Sequence, residues 1–243
     1  MTATLNNRLL VEGKNDAHVL FSLFDRHGIP FGSPTKPSKQ TGSISIQQIF
    51  TNTDSEDDIN PVDFFAQQLK LMPELGCLGI ILDADFNLEG KWMALRNRLL
   101  QFGFSEAAIE KSEIDKRLIS TGAIIQDHDL PTVGVWLMPD NCLEGELEHF
   151  LEFLITQKKD NPLWSLVVET LEKIPEENTF PDYSKRFKEQ DRRKALIHTW
   201  LAWQEEPGKP LGQALTARYF DAEAPHALIF INWVRQLFLS NPI

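Results

Sequence analysis

Two carboxylates two residues apart, Asp83 and Asp85, close the apolar run Gly79-Ile80-Ile81-Leu82 and are the residues of this chain best suited to chemistry. Acids so close repel each other unless a cation or a shared proton offsets their charge. Hard divalent cations with oxygen ligands, Mg2+ or Mn2+, are the natural partners. As an isolated pair they read first as the turn that ends a strand, because Asp is a common turn residue.

Further acids stand at comparable places. Glu12 follows the apolar stretch Arg8-Leu9-Leu10-Val11, and Asp140 follows Val133–Met138 in the turn Pro139-Asp140-Asn141. A helix expected from Leu143 puts Glu144 and Glu148 one turn apart on a shared face, with Glu146 pointing elsewhere. Acids in a first turn are also favoured by the helix dipole alone.

The elements that must position these residues follow from periodicity. Gly79–Leu82, a short apolar run without polar alternation, predicts a buried parallel strand. Arg8–Val11 predicts a first strand, Gly13 a turn, and Asn15 the N-cap of a helix carrying Val19, Leu20, Leu23 and Phe24. Ile44, Ile46 and Ile49-Phe50 suggest a second strand, and Asn60-Pro61 opens a helix that ends near Pro73. A helix from Lys91 to about Phe102 and strands over Gly122–Ile125 and Val133–Met138 complete the pattern. Strands alternating with helices predict right-handed crossovers and a parallel sheet, with functional groups at its carboxyl edge.

The stretch Gly28–Gly42 and the acidic run Asp54, Glu56, Asp57, Asp58 read as loops. Beyond Ile155 the chain becomes helices broken by prolines. Their apolar stripes, Arg193–Trp203 and Ala227–Leu239, read as core rather than as a base-stacking platform. The expected organisation is an α/β domain over 1–155 with a helical extension over 156–243 packed on it.

With 243 residues, 42% hydrophobic and 24% charged, the composition is that of an ordinary globular protein. The start lacks a basic segment followed by an apolar core, and no apolar run approaches the ~20 residues of a membrane span. Cys77 and Cys142 lie among apolar residues and predict buried, reduced thiols, so a cytoplasmic protein without membrane association is expected. A net charge of -11 argues against non-specific nucleic-acid binding by the whole surface. The local candidate is Lys185, Arg186, Lys188, Arg192, Arg193 and Lys194, a run that reads first as a solvated helix face.

Val-Glu-Gly around Glu12 after one strand and Asp83-Ala84-Asp85 after a later one resemble the TOPRIM domain, the catalytic module shared by topoisomerases, bacterial primases, OLD nucleases and ribosomal RNA maturases. Gly145-Glu146-Leu147-Glu148 resembles the Gly-x-Leu-Glu segment of the OLD type. Leu10–His18, Gly79–Leu99, Val133–Asn141 and Lys194–Arg218 are similar to a prokaryotic family of stand-alone TOPRIM-related proteins without an established activity. The resemblance implies a Rossmann-like fold with a roughly four-stranded parallel sheet. In it Glu12 acts as general acid/base or metal contact and Asp83 and Asp85 hold Mg2+. Glu148, with Glu144 or Asp140, would complete a second cation site. The 71 residues from Glu12 to Asp83 are long for a minimal TOPRIM domain and suggest an insertion. Tyr183 and Tyr219, the only tyrosines, fall in the helical tail, so topoisomerase activity is poorly supported.

Three functions follow as expectations. The first is a Mg2+- or Mn2+-dependent phosphodiesterase, nuclease-like, acting on nucleic acid. The second is a non-catalytic relative that binds a nucleotide or a partner protein in a regulatory or defence role. The third is hydrolysis of a small phosphorylated metabolite.

Overall fold

Leu9–Val11, Leu78–Leu82 and Val133–Met138 are buried along their whole length, so the strands they form need cover on both faces. The structure, a computed structural model, describes residues 7–33, 36, 38, 43–50, 60–74, 76–174 and 187–239. Its elements in chain order are β1 (Asn7–Val11), α1 (Lys14–Arg26), β2 (Phe31–Gly32), β3 (Ile44–Gln48), α2 (Pro61–Lys70), β4 (Cys77–Asp83), α3 (Leu88–Phe102), α4 (Glu106–Glu110), β5 (Glu113–Ile114), β6 (Arg117–Leu118), β7 (Ala123–Ile125), β8 (Thr132–Met138), α5 (Leu147–Phe153), α6 (Pro162–Glu172), α7 (Arg192–Ala202), α8 (Leu211–Thr216) and α9 (Pro225–Phe238).

The main sheet has six strands in the order β2-β3-β1-β4-β8-β7. All neighbours are parallel except β7, which runs antiparallel to β8. The fold is therefore α/β with a mostly parallel sheet, larger than the four strands expected because β2 and β7 extend its edges. A two-stranded hairpin, β5-β6, stands apart. Its two-residue strands are too short to leave a period in the sequence.

Side chains alternate between two apolar layers. Leu10, Leu78, Ile80 and Leu82 pack with Phe65 and Leu69 of α2 and Trp92, Leu95 and Leu99 of α3. Leu9, Val11, Ile81 and Trp136 pack with α1, α5 and the later helices, including Phe230, Trp233 and Leu237 of α9. The residues read as a C-terminal extension thus supply much of the second layer. Its closeness depends on glycine. Gly79 and Gly134 are register partners in β4 and β8. A methyl group on Gly134 would overlap Leu237, and one on Gly79 would stand 2.7 Å from Leu9 and 3.0 Å from Phe238.

Several boundaries differ from expectation. The cap of α1 is Gly13, not Asn15, because the Asp16 carboxylate accepts the Gly13 N–H at 3.0 Å and closes the first turn. Asn60 does cap α2, accepting from the N–H groups of Val62 and Asp63. Asn87 caps α3 one turn earlier than expected, accepting the Gly90 N–H at 2.8 Å. Cys142 is exposed rather than buried, since it lies in a turn closed by Asp140; both cysteines are free thiols. Among the described residues no helix is long and apolar enough to cross a membrane. Lys185, Arg186, Tyr183 and the acidic run Asp54, Glu56, Asp57, Asp58 lie outside the described residues.

Candidate functional site

From β1 the chain runs through α1 to β3 on one side, then through α2 to β4 on the other side of β1. Helices α1 and α2 consequently cover opposite faces. The carboxyl ends of β1 and β4 are the point where the winding reverses, which opens a crevice in a sheet of this kind. Glu12 is the first residue after β1 and Asp83 the last of β4.

Backbone amides hold the acids in place. Glu12 Oε1 accepts the Asp83 N–H at 3.1 Å, and Asp83 Oδ1 accepts the Leu147 N–H at the start of α5, also at 3.1 Å. Asp85 sits in the left-handed region at φ 50°, and its N–H donates to the Gly145 carbonyl at 2.9 Å, tying the turn after β4 to the loop before α5. Lys91 of α3 places its ammonium 3.0 Å from Asp85 Oδ2 and 3.8 Å from Glu12 Oε1. Glu12, Asp16, Asp83, Asp85, Lys91 and Glu148 line one cleft of about 670 Å³.

Burial and crowding act on these acids together. Burial pushes the Glu12 carboxyl up to about 7; Asp16 and Asp85 add to the shift, while Lys91 and the Asp83 N–H oppose it. Burial raises Asp16 to about 6 against the Gly13 hydrogen bond, and raises Glu148 to about 7 with help from Glu146. Asp83 is held well above the ordinary carboxyl range, by burial first and then by Asp16, Glu12, Asp85 and Glu148. Lys91 feels the same crowding with the opposite sign. Burial favours its neutral form, but Glu12 and Asp85 outweigh that and raise its pKa.

The structure thus brings Glu12, Asp83, Asp85 and Glu148 into one cleft, and leaves Asp140 and Glu144 out of its lining. The Asp140 carboxylate accepts the N–H groups of Cys142 and Leu143 at 3.0 and 2.9 Å, an ordinary turn closure. That turn, with Gly145 at φ 150°, delays α5 to Leu147, so the shared helical face expected for Glu144 and Glu148 does not form. Two members of the cluster were not anticipated. Asp16 had a usable signal, since Gly13-x-x-Asp16 is a capping pattern with an acid at its third position. Lys91 had none, because nothing local aims a residue of α3 at Glu12.

Three residues of the basic segment, Arg192, Arg193 and Lys194, are paired with acids. Lys194 reaches Glu146 at 2.8 Å, Arg193 reaches Glu152 at 3.0 Å, and Arg192 lies 3.9 Å from both Glu172 and Glu189.

Among the described residues, no group of three or more His, Cys, Asp or Glu side chains stands in metal-holding geometry. The donors nevertheless suit a hard cation. They are all carboxylates, with Glu12 and Asp83 raised by burial and by the neighbouring acids, and with the Lys91 ammonium as counter-charge. Glu12, Asp83 and Asp85, flanked by Asp16 and Glu148, are the carboxylates that could hold a divalent cation.

A family model described as "Protein of unknown function (DUF3226)" matches residues 6–239. No curated protein and no solved structure matches the chain.

Proposed function

The chain belongs to the DUF3226 family, whose function is unknown, and we propose from its carboxylate cleft that it is a TOPRIM-related, Mg2+- or Mn2+-dependent phosphodiesterase, nuclease-like, acting on nucleic acid. One observation carries the reading: Glu12, Asp16, Asp83 and Glu148 are crowded at the reversal point of the sheet, all with raised pKa, beside an open cleft. Burying several carboxyls together is costly unless a cation or protons accompany them. The cation supplies neutralisation of phosphate oxygens and a more acidic water.

The chain's own groups do the rest. The Asp83 N–H orients Glu12, and the N–H of Leu147 orients Asp83. Lys91 and Lys194 stand on the walls of the same cleft, paired there with Asp85 and Glu146, and offset part of its negative charge. With no cation beside it, Glu12 keeps its proton to about pH 7. A cation beside it lowers that value, which assigns Glu12 to metal contact before proton transfer.

A second reading is favoured by the paired state of Arg192, Arg193 and Lys194, whose charges are offset by Glu172, Glu152 and Glu146. In it the same cleft binds a nucleotide, a partner protein or a small phosphorylated metabolite, without cleaving nucleic acid.

Calorimetric titration of Mg2+ and Mn2+ into the wild-type protein and into Asp83→Asn/Asp85→Asn tests the site. Binding lost in the double variant is expected. Cleavage assays on single- and double-stranded nucleic acid then separate the two readings, since cation binding without turnover of either strand form supports the second.

A further inference from the structure

A second cleft, of about 560 Å³, adjoins the carboxylate cleft, and the two share Asp85, Glu146 and Lys194 in their walls. One wall of the second cleft is Phe86, next in sequence to Asp85; the other is the start of α7 with Arg192 and Arg193. Phe86 is 71% exposed, the largest value among the exposed large hydrophobics. A lone exposed Phe is ordinary on a protein surface. This one is fixed in a short turn, with the Asp85 N–H bonded to Gly145 on one side and the Asn87 N–H bonded to Ala84 at 3.1 Å on the other. The cleft it lines also carries Arg192, Arg193 and Lys194 beside the acids that pair with them, Glu189, Glu152 and Glu146, and meets the carboxylate cleft at Asp85.

Glu146 stands in the wall of both clefts with its Oε2 paired to Lys194 at 2.8 Å, so its charge is offset and a neutral group can lie beside it. A nucleobase is such a group and has a face for Phe86 to stack on, whereas an inorganic or simple sugar phosphate offers none.

We propose that this second cleft is a nucleobase subsite, in which Phe86 stacks on the base of the nucleotide whose phosphate faces Glu12, Asp83 and Asp85. The proposal rests on the phosphodiesterase reading of the carboxylate site and narrows its substrate to nucleobase-bearing phosphates. Aromatic stacking tolerates any base, so the subsite confers a preference for a base over none, without sequence preference.

The test measures binding, in Mg2+, of thymidine 5′-monophosphate against deoxyribose 5-phosphate, monoesters that differ only by the base. The wild type is expected to prefer the nucleotide by about tenfold or more, the scale of one stacked base. Phe86→Ala should erase the preference and Phe86→Trp should keep it, with Mg2+ affinity the same in all three because Phe86 carries no ligand atom. A phosphorothioate oligothymidylate identifies the source of the base: much tighter binding than the mononucleotide means a single strand, equal binding a free nucleotide. Equal affinity of the wild type for both monoesters, or an undiminished preference in Phe86→Ala, overturns the subsite. When that happens with Mg2+ binding intact, the carboxylate site stands and only the subsite falls; a wild type that binds no Mg2+ removes the metal reading itself.

Discussion

The N–H of Asp83, the last residue of β4, donates to the Glu12 carboxylate at 3.1 Å across the gap between two adjacent parallel strands. One hydrogen bond therefore joins residues 71 positions apart and orients the acid at the mouth of the cleft. It also separates two roles of Glu12, as an acceptor that holds the strand ends together and as a negative charge.

Glu12→Gln keeps the acceptor and removes the charge. In metal-free buffer at pH 8 the variant is expected to be more stable than the wild type by about 1–2 kcal/mol, because a buried ionised carboxyl is relieved. Its stabilisation by Mg2+ should fall. Thermal melts with and without Mg2+ check both; a variant less stable than the wild type without metal contradicts the electrostatic account.

Stability should depend on pH in a stated direction. Glu12 and Glu148 rise from 4.5 to about 7 on folding, and Asp16 from 3.8 to about 6. Each group is protonated in both states at low pH and contributes no penalty there. As pH climbs through the ordinary values the unfolded chain loses these protons first, so the native state binds more protons and stability decreases. The metal-free protein should lose roughly 2–3 kcal/mol or more between pH 4.5 and 7, and saturating Mg2+ should flatten the profile. Chemical denaturation across that range measures it; a metal-free profile that rises with pH opposes the prediction.

Lys91 supplies the internal counter-charge of Asp85 and Glu12. Lys91→Met should destabilise the metal-free protein at pH 8 and tighten Mg2+ binding by about tenfold, since the ammonium no longer competes for the same carboxylates. Calorimetric titration decides it, and weaker Mg2+ binding in the variant means that Lys91 assists the cation instead.

Gly134→Ala tests the seating of α9 on the sheet. A methyl group there would overlap Leu237 beside the partner glycine of β4. An overpacking cost of about 1–3 kcal/mol is expected in urea unfolding. A variant as stable as the wild type shows that α9 can shift without loss.

The chain's local chemistry was legible where neighbours in sequence decide the outcome. Apolar runs became β1, β4 and β8, Asn60-Pro61 began α2, and Glu12 and Asp83 stand at strand ends, because strand burial and helix capping depend on residues a few positions apart. The same locality misled at Asp140 and Glu144: a side-chain turn and a glycine at positive φ stopped the helix that periodicity suggested.

Tertiary structure decided which of these pieces meet. The reversal of winding between β1 and β4 set Glu12 against Asp83, the capping turn of α1 added Asp16, and the packing of α3 brought in Lys91, which no local pattern aims at the site. The raised pKa values arise the same way. An isolated carboxyl in water has its ordinary affinity for a proton; burial and the company of other acids, both products of the folded chain, are what change it.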